Sequence, residues 1–61
     1  MALYCVLFLD HGDNARGWRH IERDDDAAAI AAAHELNVLP QMNAGFEVWQ
    51  DERLVHRHSN T

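Results

Sequence analysis

The chain of 61 residues has one cysteine, one proline, three glycines and no lysine. Because Cys5 has no partner, an intrachain disulfide is excluded and the fold receives no covalent cross-link. The longest apolar run, which contains residues 3–9, is far shorter than the roughly 20 residues of a membrane-spanning helix. We therefore expect one domain, residues 1–61, in a cytoplasmic protein with no membrane partner.

Groups that could act in catalysis are also scarce. The only Ser and Thr residues are Ser59 and Thr61, so the body of the chain offers no hydroxyl nucleophile, and it has no phosphate-binding glycine loop. His20 with Glu22 or Glu47 could form an acid–base pair. A partly exposed histidine beside a salt-bridged carboxylate explains the same residues. We leave open whether the protein is an enzyme, favour a non-enzymatic role and predict no catalytic residue.

Acidic residues outnumber basic ones by ten to five, which gives the chain a formal charge of −5. Binding to nucleic acid depends on cationic side chains that neutralise phosphates. The charge balance therefore predicts no nucleic-acid partner.

The sequence contains five histidines, which raises the question of a metal site. His56 and His58 lie two residues apart, so on a strand they would face the same side and could share an ion. Zinc sites use three or four ligands, and no close-spaced Cys or His completes this pair. The acidic triplet 24–26 lacks the alternating ligands and central glycine of a calcium loop. We interpret the histidines as surface residues and predict no metal and no cofactor.

Two pairs of extended segments are visible in the chain. Residues 3–9 and 16–22 are typical of a β-hairpin, because the segment 10–14 between them is rich in Asp, Asn and Gly. Residues 46–50 alternate and contain good strand formers, and residues 53–57 return as a short polar edge strand.

A single helix is predicted between the hairpins. The acidic triplet 24–26 can cap the alanine-rich segment 27–36, and Pro40 prevents the helix from continuing. Residues 57–61 are expected to be a frayed tail. The predicted fold class is α+β, with the order β-β-α-β-β.

A right-handed crossover between the hairpins predicts an antiparallel sheet of order 2-1-3-4 with the helix packed on one face. The first strand is then central and apolar on both sides, although one helix can cover only one side. If the helix covers Tyr4, Val6 and Phe8, the core also contains Ile21, Phe46, Val48, Ile30 and Leu36. A one-residue slip of register would exchange the two faces.

The uncovered face predicts an interface, because contiguous exposed apolar patches usually mark one. We expect a homodimer packed sheet to sheet, with an unidentified protein partner as a further possibility. One alternative is a small-ligand or catalytic site between subunits near Trp18, His20 and Trp49, and another is a monomer in which the connector 37–45 covers the face. The predicted interface residues are Leu3, Cys5, Leu7, Leu9, Trp18, His20 and Trp49.

Three segments carry a family resemblance: residues 4–10 with Tyr-x-Val-x-Phe-Leu-Asp, 21–28 with Ile-Glu-x-Asp-Asp-Asp-Ala-Ala, and 46–55 with Phe-Glu-Val-Trp-Gln-x-x-Arg-Leu-Val. Together they resemble a group of small uncharacterised proteins of similar length that are common in alphaproteobacteria. The resemblance extends over nearly the whole chain. It implies a small bacterial protein and brings no activity, cofactor or site residue with it.

Overall fold

The structure, a computed structural model, describes residues 2–12, 14–37 and 43–59. Four strands form one antiparallel sheet in the order β2-β1-β3-β4, and one helix packs on it. The elements are, in chain order, β1 (Ala2–Leu9), β2 (Ala15–Arg23), α1 (Asp26–Leu36), β3 (Gly45–Gln50) and β4 (Arg53–Ser59). The predicted α+β fold, with its element order and its sheet order 2-1-3-4, is confirmed.

The pairing of β1 with both neighbouring strands shows which side chains share the face covered by the helix. Tyr4 pairs with Ile21 of β2, and Val6 pairs with Val48 of β3. Directly paired residues of antiparallel strands point to the same face of the sheet. These four side chains therefore lie together under α1, and the other half of the apolar run faces away from it.

The core lies between α1 and this face of the sheet, and small alanines let the helix approach the strands closely. Ile30, which we expected in the core, is only half-buried, because the inward stripe of the helix runs through Ala32 instead. Leu36 packs at the edge of the core. The buried cluster consists of Tyr4, Val6, Ile21, Ala29, Ala32, Ala33, Phe46 and Val48.

The first hairpin closes through Asp10. Its Oδ1 accepts hydrogen bonds from the backbone N–H groups of Gly12 at 2.8 Å and Asn14 at 3.0 Å. These two bonds favour the ionised form and lower the pKa of the Asp10 carboxyl. The side chain thus fixes the turn that the Asp, Asn and Gly cluster predicts.

The second hairpin contains a two-residue turn and a β-bulge. Asp51 has a φ of 54°, which primed hairpin turns require at their first central position. Trp49 pairs with Leu54, whereas Val48 pairs with His56, so one residue of β4 is left over at a bulge. Since one extra residue moves all later side chains to the opposite face, His56 lies on the helix side.

Helix α1 begins and ends through side-chain and backbone caps. Asp25 is the N-cap, and its Oδ1 accepts from the backbone N–H of Ala28 at 2.8 Å. At the other end the Asn37 N–H reaches the carbonyl oxygens of Ala33 and His34. The helix therefore ends at Leu36, before Pro40, which lies outside the described residues.

A buried tyrosine and an arginine anchor the first turn of α1. The hydroxyl of Tyr4 donates to Asp26 Oδ1 at 2.7 Å, and Arg53 donates to both carboxylate oxygens at 3.1 Å. Arg53 and then Tyr4 lower the pKa of Asp26, and the bond to Asp26 raises the pKa of the Tyr4 phenol. This network joins the start of the helix to β1 and β4.

The end of β4 corrects one expectation. We predicted a frayed tail over residues 57–61, yet β4 continues to Ser59. Pairing of Phe46 with His58 and of Gly45 with Ser59 holds these residues in the sheet. Residues 60 and 61 lie outside the described part of the chain, as do residues 38–42 of the connector that we considered as a cover for the sheet.

Replacing Gly45 with alanine should destabilise the fold. A Cβ built at Gly45 lies 2.1 Å from the carbonyl oxygen of His58, which belongs to the backbone and cannot rotate away. We expect Gly45→Ala to lower the free energy of unfolding by about 1–3 kcal/mol, the usual cost of overpacking. Thermal and urea denaturation followed by circular dichroism would measure it.

Gly17→Ala is the matched control, because a Cβ at Gly17 meets nothing within 4 Å. Alanine is favoured over glycine inside a strand, so this variant should be neutral or slightly more stable. Equal destabilisation of the two variants would contradict the close approach of β3 and β4 at Gly45.

Replacing Asp26 with asparagine should remove part of the acid dependence of stability. The folded-state pKa of Asp26 lies below its unfolded value, so the ionised form stabilises the fold above the unfolded pKa of about 3.9. This contribution is lost as the pH falls through the lower, folded pKa. Wild type should therefore be more stable than Asp26→Asn near neutral pH, and this difference in stability should disappear in acid.

The measurement is the melting temperature from neutral pH to below about pH 3. Asp24→Asn is the control, since it removes a carboxylate from the same acidic triplet but none of the bonds to Tyr4 and Arg53. If the difference in melting temperature between wild type and Asp26→Asn stayed constant over this pH range, the carboxylate would not stabilise the fold through its ionisation.

Candidate functional site

The sheet face opposite α1 carries side chains from all four strands. Leu7 pairs with Trp18 of β2, and Cys5 pairs with His20 of β2 and Trp49 of β3. We term this surface the open face. Its apolar and aromatic members are Leu3, Cys5, Leu7, Leu9, Trp18, Trp49 and Leu54.

Several of these side chains are strongly exposed. Trp18 is 66% exposed, Leu3 58% and Leu54 45%, while Cys5 is half-buried between its neighbours. In contrast, Val6 and Val48 on the helix side are completely inaccessible to solvent. Because its apolar residues are adjacent across the strands, the open face is a contiguous patch rather than a set of isolated hydrophobic residues.

Polar atoms in the middle of the open face are paired with one another. Trp49 Nε1 donates to Glu47 Oε1 at 3.2 Å, and Arg57 Nε lies 3.6 Å from Glu47 Oε2. The Glu47 side chain is only 14% exposed, so these two partners replace water around a partly desolvated carboxylate. The face can therefore be covered without leaving this carboxylate unsatisfied.

The register places all the predicted interface residues on the open face, although they differ in exposure. His20 is exposed, whereas Leu9 is only 7% exposed and would contribute little area to an interface. Leu54 is a member that the sequence did not predict, because its side of the sheet depends on where β4 pairs with β3. The bulge has no obvious signature in the sequence.

The possible acid–base pair at His20 is not assembled. Within the described residues His20 forms no hydrogen bond to Glu22 or Glu47, and Glu47 is instead bonded to Trp49 and paired with Arg57. The described residues therefore do not form this pair, in which a carboxylate within hydrogen-bond reach would assist a general base.

One end of the open face contains a shallow hollow of about 190 Å³. It is lined by Leu3, Tyr4, Cys5, His20 and Asp51. Pockets for small ligands usually enclose about 300–1,000 Å³. The hollow reaches His20 but neither Trp18 nor Trp49.

A different cluster lies on the helix side of the sheet. His56 and His58 of β4 pair with Val48 and Phe46, which places both imidazoles on the face that α1 covers. His34, in the last turn of α1, lies against them. One ligand atom from each histidine can be chosen so that all three lie within 4.8 Å of one another.

The same imidazoles form an aromatic group with Phe46. The ring centroids of His34 and His58 are 4.7 Å apart, and those of His34 and Phe46 are 5.0 Å apart with the planes nearly perpendicular. Spacing along the chain pointed only to His56 and His58, because the distance from His34 to β4 is set by the packing of the helix. Knowing that the last turn of α1 lies beside His58 of β4 would have been enough to find the third histidine.

Comparison with known protein families, curated proteins and solved structures yields no match to this chain. The resemblance to small alphaproteobacterial proteins therefore stays a prediction. Among the described residues, no helix has the length and apolar character needed to cross a membrane.

Proposed function

We propose that this protein is a non-enzymatic interaction module of the cytoplasm that acts as a homodimer, with two copies packed sheet to sheet through their open faces. The contiguous apolar surface around Leu3, Trp18 and Leu54 carries the proposal. A sheet that is apolar on both faces normally has a packed layer on each side, and α1 supplies only one of them.

The dimensions of the molecule suit such an interface. The two longer extents are 31 and 21 Å and the shortest is 15 Å, so the sheet spans a broad, thin body. A side of this breadth has room for an interface, since stable ones bury roughly 800 Å² of accessible surface per partner. A chain of 61 residues also buries only about 60% of its unfolded surface, so association would add stability that a lone copy lacks.

The charge distribution favours a second copy as the occupant. The chain as a whole has a formal charge of −5. By register, the open face carries Glu22, Glu47 and Arg57, and the last two form an ion pair. Two acidic chains could therefore meet through this nearly neutral face with little repulsion. A partner recognised by its charge would require a face with a larger net charge.

A small-ligand or catalytic site between subunits near Trp18, His20 and Trp49 is the alternative. In a dimer, the hollow beside His20 could be closed by the partner subunit. A dry and well-packed seam in a structure of the dimer would favour the interaction role, and a closed pocket with convergent polar groups would favour the ligand site.

Replacing Trp18 with glutamate should dissociate the dimer. Exposed tryptophans are frequent hot spots, and losing one typically costs about 2 kcal/mol or more, which weakens association by about 30-fold. We expect wild type to have twice the mass of one chain at micromolar concentration and Trp18→Glu to have the mass of one chain. Size-exclusion chromatography with light scattering would measure both.

Ala31→Glu provides the matched control, since it adds the same charge at an exposed position of α1. Ala31→Glu should remain a dimer, and circular dichroism should show that both variants are folded. A wild-type protein that is monomeric at micromolar concentration would refute the homodimer.

Protection of Cys5 offers a test without mutation. Its thiol lies on the open face and is half-buried in a single copy, so a dimer should cover it. We expect the rate of reaction with a bulky aromatic disulfide reagent to fall as the protein concentration rises, because the dimer fraction grows. A rate constant that stays unchanged over a concentration range in which light scattering shows the dimer fraction to rise would place the interface elsewhere.

A further inference from the structure

We propose that His34, His56 and His58 form a zinc-binding site within one chain, on the face of the sheet opposite the proposed dimer interface. Their ligand atoms lie within 4.8 Å of one another. Three protein ligands are the number found in zinc sites that keep a fourth position for water or another small ligand.

Small side-chain movements would close the site around an ion. In a tetrahedral site with Zn–N bonds of about 2.0–2.1 Å, the ligand nitrogens are separated by roughly 3.3 Å. The ligand atoms now lie within 4.8 Å of one another, so they have to approach by about 1.5 Å at most. Rotations of the imidazole rings can bring them that much closer. His34 is exposed and His56 and His58 are half-buried, so the rings have room to turn.

Among the described residues, these imidazoles have no other polar partner. Within the described part of the chain, no hydrogen bond or ion pair is found for the imidazole side chains of His34, His56 and His58. Their contacts are with one another and with the buried ring of Phe46, which forms an apolar floor beneath them. The nitrogen lone pairs thus remain free to bind a cation.

The backbone environment also favours a cation here. His34 lies in the last turn of α1, where the helix dipole places partial negative charge. The chain is acidic overall, with a formal charge of −5. Imidazole suits zinc and related late divalent metals, whereas magnesium and calcium prefer oxygen ligands.

Isothermal titration of the purified protein with zinc chloride, after removal of any affinity tag, tests this site. Wild type should bind one equivalent per chain with micromolar or tighter affinity, and excess chelator should reverse the binding. His34→Ala removes one ligand from an exposed helical position where alanine is well tolerated. We expect it to weaken binding by at least about tenfold while leaving the circular dichroism spectrum unchanged.

His11→Ala is the matched control, because His11 is an exposed histidine in the first hairpin turn and lies outside the cluster. It should bind zinc as wild type does. No stoichiometric binding by wild type would overturn the proposal and leave the three imidazoles as an aromatic cluster. Equal affinity of wild type and His34→Ala would also overturn it, since β4 alone would then be the binding element.

A titration with cobalt(II) reports on geometry. Intense visible absorption bands indicate four-coordinate cobalt, and their loss in His34→Ala would support ligation by all three histidines. Weak bands typical of six-coordinate cobalt would contradict the tetrahedral arrangement. Trp18→Glu should retain metal binding in every one of these experiments, because Trp18 lies on the opposite face of the sheet.

Discussion

The structure depends on one constraint: β1 is an inner strand of the sheet and is apolar on both faces, but the described residues contain a single helix to cover it. The helix packs on the side of Tyr4 and Val6, where the core excludes water. Leu3, Cys5 and Leu7 of the same strand are left on the other side. One helix packed on a four-stranded sheet cannot cover both groups of side chains, because successive side chains of a strand point to opposite faces of the sheet.

The two faces consequently have different chemistry. The helix side is closed by small alanines and by the network of Tyr4, Asp26 and Arg53, and it gathers three imidazoles between the end of α1 and the edge strand β4. The open face is broad and nearly neutral, with its central carboxylate already paired. An assembly interface on one face and a metal on the other would not compete for the same side chains.

Features set by neighbouring residues were predictable, and features set by packing were not. The turn at Asp10 and the cap at Asp25 follow from short-range hydrogen bonds, and the alternation of side chains along β1 is enough to define its two faces. The predicted helical segment 27–36 ends where α1 ends, at Leu36, because the strong helix formers extend to that residue. Continued pairing of β4 to Ser59 was missed, since it depends on contacts with β3 rather than on local propensity.

The sequence by itself determined the order of the elements, the central place of the apolar strand and the existence of one uncovered face, because hydrophobic periodicity and turn chemistry are local properties. Only the tertiary structure decided the register of the strands and the face that the helix covers. The two-residue turn pairs Leu54 with Trp49 on the open face, and the bulge between Trp49 and Val48 then brings His56 under the helix, where His34 meets it. One extra residue in a ladder reverses every later side chain, and it is the pairing with β3 that fixes its position.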